Sequence, residues 1–120
     1  MEESLQKIVD ETRRSNKAYD ERLEQLVARA LNEIPNMVAQ IKRIDPDVSK
    51  VILFGSLANN NVRSVDFDID LAISSKKIFR IAAWGEDQDL PIDVVDIDSL
   101  SPDFLHAVIE KGTVLYEKAL

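Results

Sequence analysis

Residues 53–73 read LFGSLANNNVRSVDFDIDLAI, and this stretch decides the fold. Its last nine residues alternate. Val65, Phe67, Ile69, Leu71 and Ile73 are apolar, and Asp66, Asp68 and Asp70 lie between them. Side chains on a strand repeat with a period of two, so the alternation predicts a strand over 65–73 with one face in the core. VILF (51–54) is instead a short continuous apolar run ending at Gly55, which suits a strand buried on both faces. The polar segment SLANNNVRS between the two has no clear period.

Working outward, PIDVVDI (91–97) reads as a third strand, with Pro91 tolerable only at its start. The connection 74–90 is expected to hold a short helix around Lys76–Ala83 and a loop at Trp84-Gly85-Glu86-Asp87. Ser101-Pro102-Asp103 marks a helix start: a capping hydroxyl, proline at the first helical position, and an acid in the first turn. Phe104, Leu105, Val108 and Ile109 are expected to supply that helix's buried face and Gly112 to end it, before a last strand TVLYE (113–117). Upstream, residues 3–34 form a long amphipathic helix. Tyr19, Leu23, Leu26, Val27, Ala30, Leu31 and Ile34 make one stripe, with a weaker first third at Leu5, Ile8 and Val9. Pro35 is expected to kink or end it. A shorter helical stretch (Met37, Val38, Ile41, Ile44) runs to the turn signal Asp45-Pro46-Asp47. The apolar stripe serves packing or dimerisation. The result is an α+β chain read as a single domain over 1–120, with a helical extension at 1–46 and a core at 50–117.

The 120 residues are 45% hydrophobic and 31% charged with 3 Gly and 4 Pro, a composition that excludes disorder and low-complexity function. No apolar run approaches the ~18 residues of a membrane span. MEESLQKIVDE at the start is acidic and amphipathic, unlike a signal or transit peptide. The absence of Cys excludes disulfides and thiolate metal sites and points to the cytoplasm. Net charge is −7 and unevenly spread: residues 61–120 hold six basic against twelve acidic residues, residues 1–60 nine against ten. An acidic chain is a poor direct ligand for nucleic-acid phosphates, which need clustered Lys and Arg.

The acid has a location. Residues two apart on a strand share a face, about 6.7 Å apart, so Asp68 and Asp70 could share divalent ions with Asp66 one step out. Solvated charges on an exposed face are the plainer reading, but Asp is disfavoured in strands. Unscreened pairs at 4 Å also cost about 4 kcal/mol at an effective dielectric of 20. No Lys or Arg lies between Val65 and Ser75 to offset this. Asp93 interrupts an apolar run and is expected to be buried, hence to meet a partner or a metal. Gly55-Ser56 at the end of a buried strand suits a phosphate approach, although a lone Gly-Ser is more often a turn. Asp96 is read as exposed or as a cap. His106 is read as a surface or packing residue, Trp84 as a loop anchor, and Lys76, Lys77 and Arg80 as a solvated helix face.

Together, Phe54-Gly55-Ser56, then Asp68-Ile69-Asp70, then Asp93, with the tail LPIDVVDIDSL and LHAVIEKGTVLYE, resemble the minimal nucleotidyltransferases of the DNA polymerase β superfamily over residues 50–117. The resemblance implies a small mixed sheet with helices packed on one face. It implies Asp68, Asp70 and Asp93 as catalytic residues holding two Mg²⁺ ions, and Gly55, Ser56, Asn59 and Arg63 as nucleotide-binding residues. The activity implied is transfer of a nucleoside monophosphate, AMP, from ATP or another NTP to an acceptor hydroxyl. The implied partner is a small helical HEPN-domain protein, with this chain as its antitoxin; a homodimer through the N-terminal helix is a further expectation. The motif departs from the usual Gly-Ser-x-Ala-Arg-Gly at Asn59-Asn60, Phe67 stands where Ser is usual, and the interval to the Asp pair is one residue longer. Loss of the Arg removes a charged phosphate contact, with Arg63 the nearby cation that could replace it. The alternative is therefore a catalytically degenerate binding module that acts by docking. A Ca²⁺-binding domain is a poorer reading, since EF-hand loop spacing is missing.

Overall fold

The computed structural model describes the backbone of residues 2–119 and the side chains of residues 5–7 and 19–119. Helix α1 spans Glu2–Ile44, strand β1 Lys50–Phe54, the single-turn helix α2 Gly55–Ala58 and strand β2 Ile69–Ser74. Helix α3 covers Ile78–Glu86, β3 Ile92–Asp96, a 3-10 turn Ile97–Ser99, α4 Pro102–Lys111 and β4 Thr113–Glu117. The mixed sheet has the order β3-β2-β1-β4. β1 runs antiparallel to both β2 and β4, while β2 and β3 are parallel, joined by α3 as a crossover.

Alternation along the two central strands divides the core. Val51, Leu53, Ile69, Leu71 and Ile73 pack with Ala30, Ile34, Met37 and Ile41 of α1 and with Ile81 of α3. Ile52 and Ala72 point to the other face, where Val108 of α4 covers them. β2 is thus buried on both faces rather than one, because α4 lies over part of the second. α3 sits close on β3 because Gly85 has no side chain: a Cβ there would press on Val94 Cγ2 at 3.2 Å.

Three expectations are corrected. Pro35 does not end the first helix, which runs through it to Ile44. The missing N–H and ring clash cost about 3 kcal/mol in a helix interior. Burial of Ile34, Met37 and Ile41 on either side offsets this, and Leu31, whose carbonyl loses its partner, is 46% exposed on the solvent side. Second, the strand expected over 65–73 begins only at Ile69, and Val65 and Asp66 form a turn. Side chains take the ladder's place there: Val65 N donates to Tyr19 Oη at 3.2 Å and Asp66 N to Ser64 Oγ at 3.2 Å. Phe67 packs on the core from this loop, which is how a loop reproduced a strand's alternation. Third, Trp84-Gly85-Glu86 is not a loop but the last turn of α3. Trp84 Nε1 donates to Gln40 Oε1 at 2.7 Å, anchoring α3 on α1.

The stripe on α1 is only partly covered, with Tyr19 and Leu31 exposed; Ile8 and Val9 lie outside the residues whose side chains are described. On α4, Val108 is buried and Leu105 half-buried, but Phe104 and Ile109 are exposed, contrary to the four-residue buried face expected. The start of α4 is as read: Pro102 stands at its first turn and Ser101 Oγ accepts from Phe104 N at 3.3 Å. Ser101→Ala should lower stability by about 1 kcal/mol in urea denaturation, the usual cost of a lost N-cap. Asp45, buried in the turn after α1, accepts from Ser75 Oγ and Asp47 N, and the Ser75 bond holds its carboxyl below the usual carboxylate range.

Candidate functional site

Register places the acids. Phe54 at the end of β1 pairs with Asp70, and Asp70 pairs with Asp93 on parallel β3, one strand spacing of about 4.8 Å away. Asp70 therefore stands between its neighbours on the face that α4 partly covers. Asp68 lies just before β2, off the ladder and exposed. Asp66 is in the turn, so the three acids do not share one strand face as the alternation suggested. Asp93 is exposed, not buried: β3 is an edge strand, and α4 covers Ile52 and Ala72 further along the sheet. The half-buried carboxylate is Asp70. Burial first, then the charges of Asp93 and Asp68, push its pKa up to about 6. None of the described ion pairs involves any of the three.

Hard carboxylate oxygens that repel one another are the donor set a divalent cation such as Mg²⁺ satisfies, and in that sense the residues fit one. As they stand, no three acidic or imidazole side chains among the described residues are gathered closely enough to hold an ion.

Gly55 closes one side of the site. Its φ is +76°, in the left-handed region, and a Cβ there would collide with the Asp70 carboxylate. Ser56 follows in the first turn of α2, whose leading N–H groups lack helical partners. Asn60 ends the turn at φ +52°, where glycine is common and asparagine is the side chain best tolerated. Asn59 is exposed, and with Phe54 and Gly55 it lines a cleft of about 150 Å³ whose other wall is Phe104, Ala107, Val108 and Lys111 of α4. Arg63 is not in that cleft; its Nε donates to Asn61 Oδ1 at 3.0 Å on the exposed loop. The cation that does line the cleft, Lys111, escaped the sequence reading because its placement depends on how α4 meets β1.

The remaining residues fall elsewhere. Asp96 caps the 3-10 turn, accepting from Asp98 N and Ser99 Oγ. His106 faces Glu110 on the surface of α4. A larger cavity of about 610 Å³, lined by Asp45, Ser75, Lys76, Lys77, Asp98 and Lys118 among others, opens at the opposite end of the sheet. It lies by Ser74, about 13 Å along β2 from Asp70.

A family model described as "Polymerase beta, Nucleotidyltransferase" matches residues 36–119. The chain belongs to this nucleotidyltransferase family. No curated protein matches it. Among solved structures, a toxin–antitoxin complex with AMP-PNP contains a chain 23% identical at a TM-score of 0.56, covering 69% of this chain and 73% of that one. The toxin–antitoxin MntA-HepT contains another, 24% identical at a TM-score of 0.51, covering 74% and 73%. At such identity these similarities show the fold: a four-stranded mixed sheet with helices. Among the described residues of this nucleotidyltransferase-family chain, no helix is long and apolar enough to cross a membrane.

Proposed function

We propose that the chain transfers a nucleoside monophosphate, AMP, from an NTP to a hydroxyl of a HEPN-type helical partner, as the antitoxin of a toxin–antitoxin pair. The observation that carries the reading is Asp70, which pairs with Asp93 and feels the charges of Asp93 and Asp68 with no ion-pair partner for the three among the described residues. The MntA-HepT neighbour supports the partner class, and the toxin–antitoxin neighbour with AMP-PNP supports the nucleotide.

In the reaction the acceptor hydroxyl gives up its proton to solvent, its oxygen attacks the α-phosphorus, the bond to the β,γ-phosphates breaks, and pyrophosphate departs with its electron pair. Asp68, Asp70 and Asp93 would hold Mg²⁺, which when bound lowers the acceptor's pKa and neutralises the triphosphate. Gly55, lacking a side chain, lets the phosphates approach the backbone, and Ser56 donates its hydroxyl to a phosphate oxygen. Asn59 adds an uncharged hydrogen bond. The chemistry of the chain's own residues is thus positioning rather than covalent participation. A reaction that consumes an NTP and uses Mg²⁺ would suit the cytoplasm.

Asn59, uncharged where the family resemblance calls for Arg, favours a second reading: a binding module that docks without transfer. Incubation with each α-labelled NTP, Mg²⁺ and the purified partner separates them. Label and one nucleotide's mass should appear on the partner. Mg²⁺ with the preferred NTP at 100 times its Kd should stabilise the chain by about 2.7 kcal/mol in thermal unfolding. Tight docking with no label from any NTP overturns transfer and leaves the module.

A further inference from the structure

The cleft beside Gly55 has two walls of different origin. Phe54, Gly55 and Asn59 come from the β1–α2 corner, Phe104, Val108 and Lys111 from α4. The walls meet at an edge-to-face contact between Phe54 and Phe104, with ring centroids 6.1 Å apart. The α4 wall is held in place at its end. Gly112 N donates to Val108 O at 2.8 Å, and a Cβ at Gly112 would fall 2.7 Å from Ile52 Cγ2 and 3.0 Å from Leu53 O. Gly112 is therefore pressed against β1, and the helix residue that immediately precedes it is Lys111.

Charge makes this position matter. A phosphate chain approaching Asp68, Asp70 and Asp93 enters an acidic half of the molecule, with twelve acids against six bases. Of the basic side chains there, Lys118 pairs with Asp47, Lys76 and Lys77 border the cavity at the far end of the sheet, Arg63 is bonded to Asn61, and Arg80 stands on α3 outside the cleft. Among the described residues, Lys111 takes part in no ion pair and is the one cation lining the cleft that Gly55 opens. Its aromatic floor lowers the local dielectric and strengthens any charge contact made there. We propose that Lys111 binds the phosphate oxygens of the nucleotide, supplying from α4 the positive charge that Asn59 on the facing wall does not carry. This rests on the nucleotide reading above. The competing role is structural: a lysine in the last turn stabilises the helix C-terminus, whatever the ligand.

The test measures Kd for non-hydrolysable analogues of ATP, GTP, CTP and UTP with Mg²⁺, using the whole chain and variants. Lys111→Ala should weaken the tightest analogue by roughly tenfold or more, as a lost charge-assisted contact does. It should also flatten the salt dependence of Kd while leaving the ligand-free melting curve almost unmoved. Lys111→Arg should retain affinity, and Asn59→Arg in the Lys111→Ala background should recover it, because the new cation faces the same cleft. A helix-capping role could not produce that recovery. Wild-type affinity in Lys111→Ala, or loss without recovery by Asn59→Arg, overturns the inference and leaves the proposed function standing. A wild-type chain that binds none of the four analogues overturns the nucleotide reading, and this inference with it.

Discussion

Asp70→Asn is expected to stabilise the fold at neutral pH and to abolish nucleotidyl transfer. The carboxyl titrates near pH 6 in the folded chain against an ordinary value of 3.8, because burial and the charges of Asp93 and Asp68 disfavour its ionised form. A carboxyl whose folded pKa is raised binds more protons in the folded state, so stability falls as pH rises between those two values and is level above them. At 1.36 kcal/mol per pKa unit the shift amounts to about 3 kcal/mol, and solvent screening of a half-exposed group reduces this to about 1–2 kcal/mol. Asparagine keeps the shape and removes the charge. Urea denaturation at pH 7.5 should therefore show Asp70→Asn more stable by that amount, with the difference vanishing below about pH 4. Asp68→Asn, on an exposed residue off the ladder, should show little of this gain. Mg²⁺ with NTP should raise the melting temperature of the wild type and not of Asp70→Asn. An Asp70→Asn protein no more stable at pH 7.5 would mean that neither burial nor the neighbouring carboxylates disfavour the charge of Asp70 as their arrangement requires.

The residues that were legible in the sequence are those whose role follows from local pattern. VILF ending at Gly55 and Ser101-Pro102 opening a helix rest on period and capping, and both stand in the structure; of the Asp-x-Asp pair, Asp70 pairs with Asp93 while Asp68 lies off the ladder. What was not legible depends on tertiary placement. The alternation of 65–73 could not distinguish a strand from a loop whose Phe67 turns inward, because Tyr19, forty-six residues away, satisfies the backbone at Val65. Asp93 looked buried because its neighbours are apolar, yet edge position decides its exposure, and edge position is a property of the sheet's order. Pro35 looked like a stop because the cost of proline is local, whereas the burial that offsets it is spread over α1, β1 and β2. Lys111 drew no notice, since nothing near it in sequence says that α4 will end against Gly55's cleft.

Gly55→Ala should cost the fold about 2–5 kcal/mol, for two separable reasons. At φ +76° an L-side chain crowds its own carbonyl, worth about 1–2 kcal/mol. The new methyl would also occupy the space of the Asp70 carboxylate, an overpacking cost of about 1–3 kcal/mol. A double-mutant cycle divides them. In an Asp70→Ala background the methyl meets no carboxylate, so Gly55→Ala should cost only the backbone part, and the two substitutions should couple by about 1 kcal/mol or more. Equal cost in both backgrounds would show that the two groups are not in contact. The coupling also bears on chemistry, because a carboxylate displaced by the Gly55 methyl can no longer stand between Asp68 and Asp93. Gly55→Ala should then lose Mg²⁺-dependent stabilisation along with transfer, even at temperatures where the variant remains folded. Glycine here keeps the phosphate approach open and leaves room for the carboxylate behind it, two demands that no side chain at this position satisfies together.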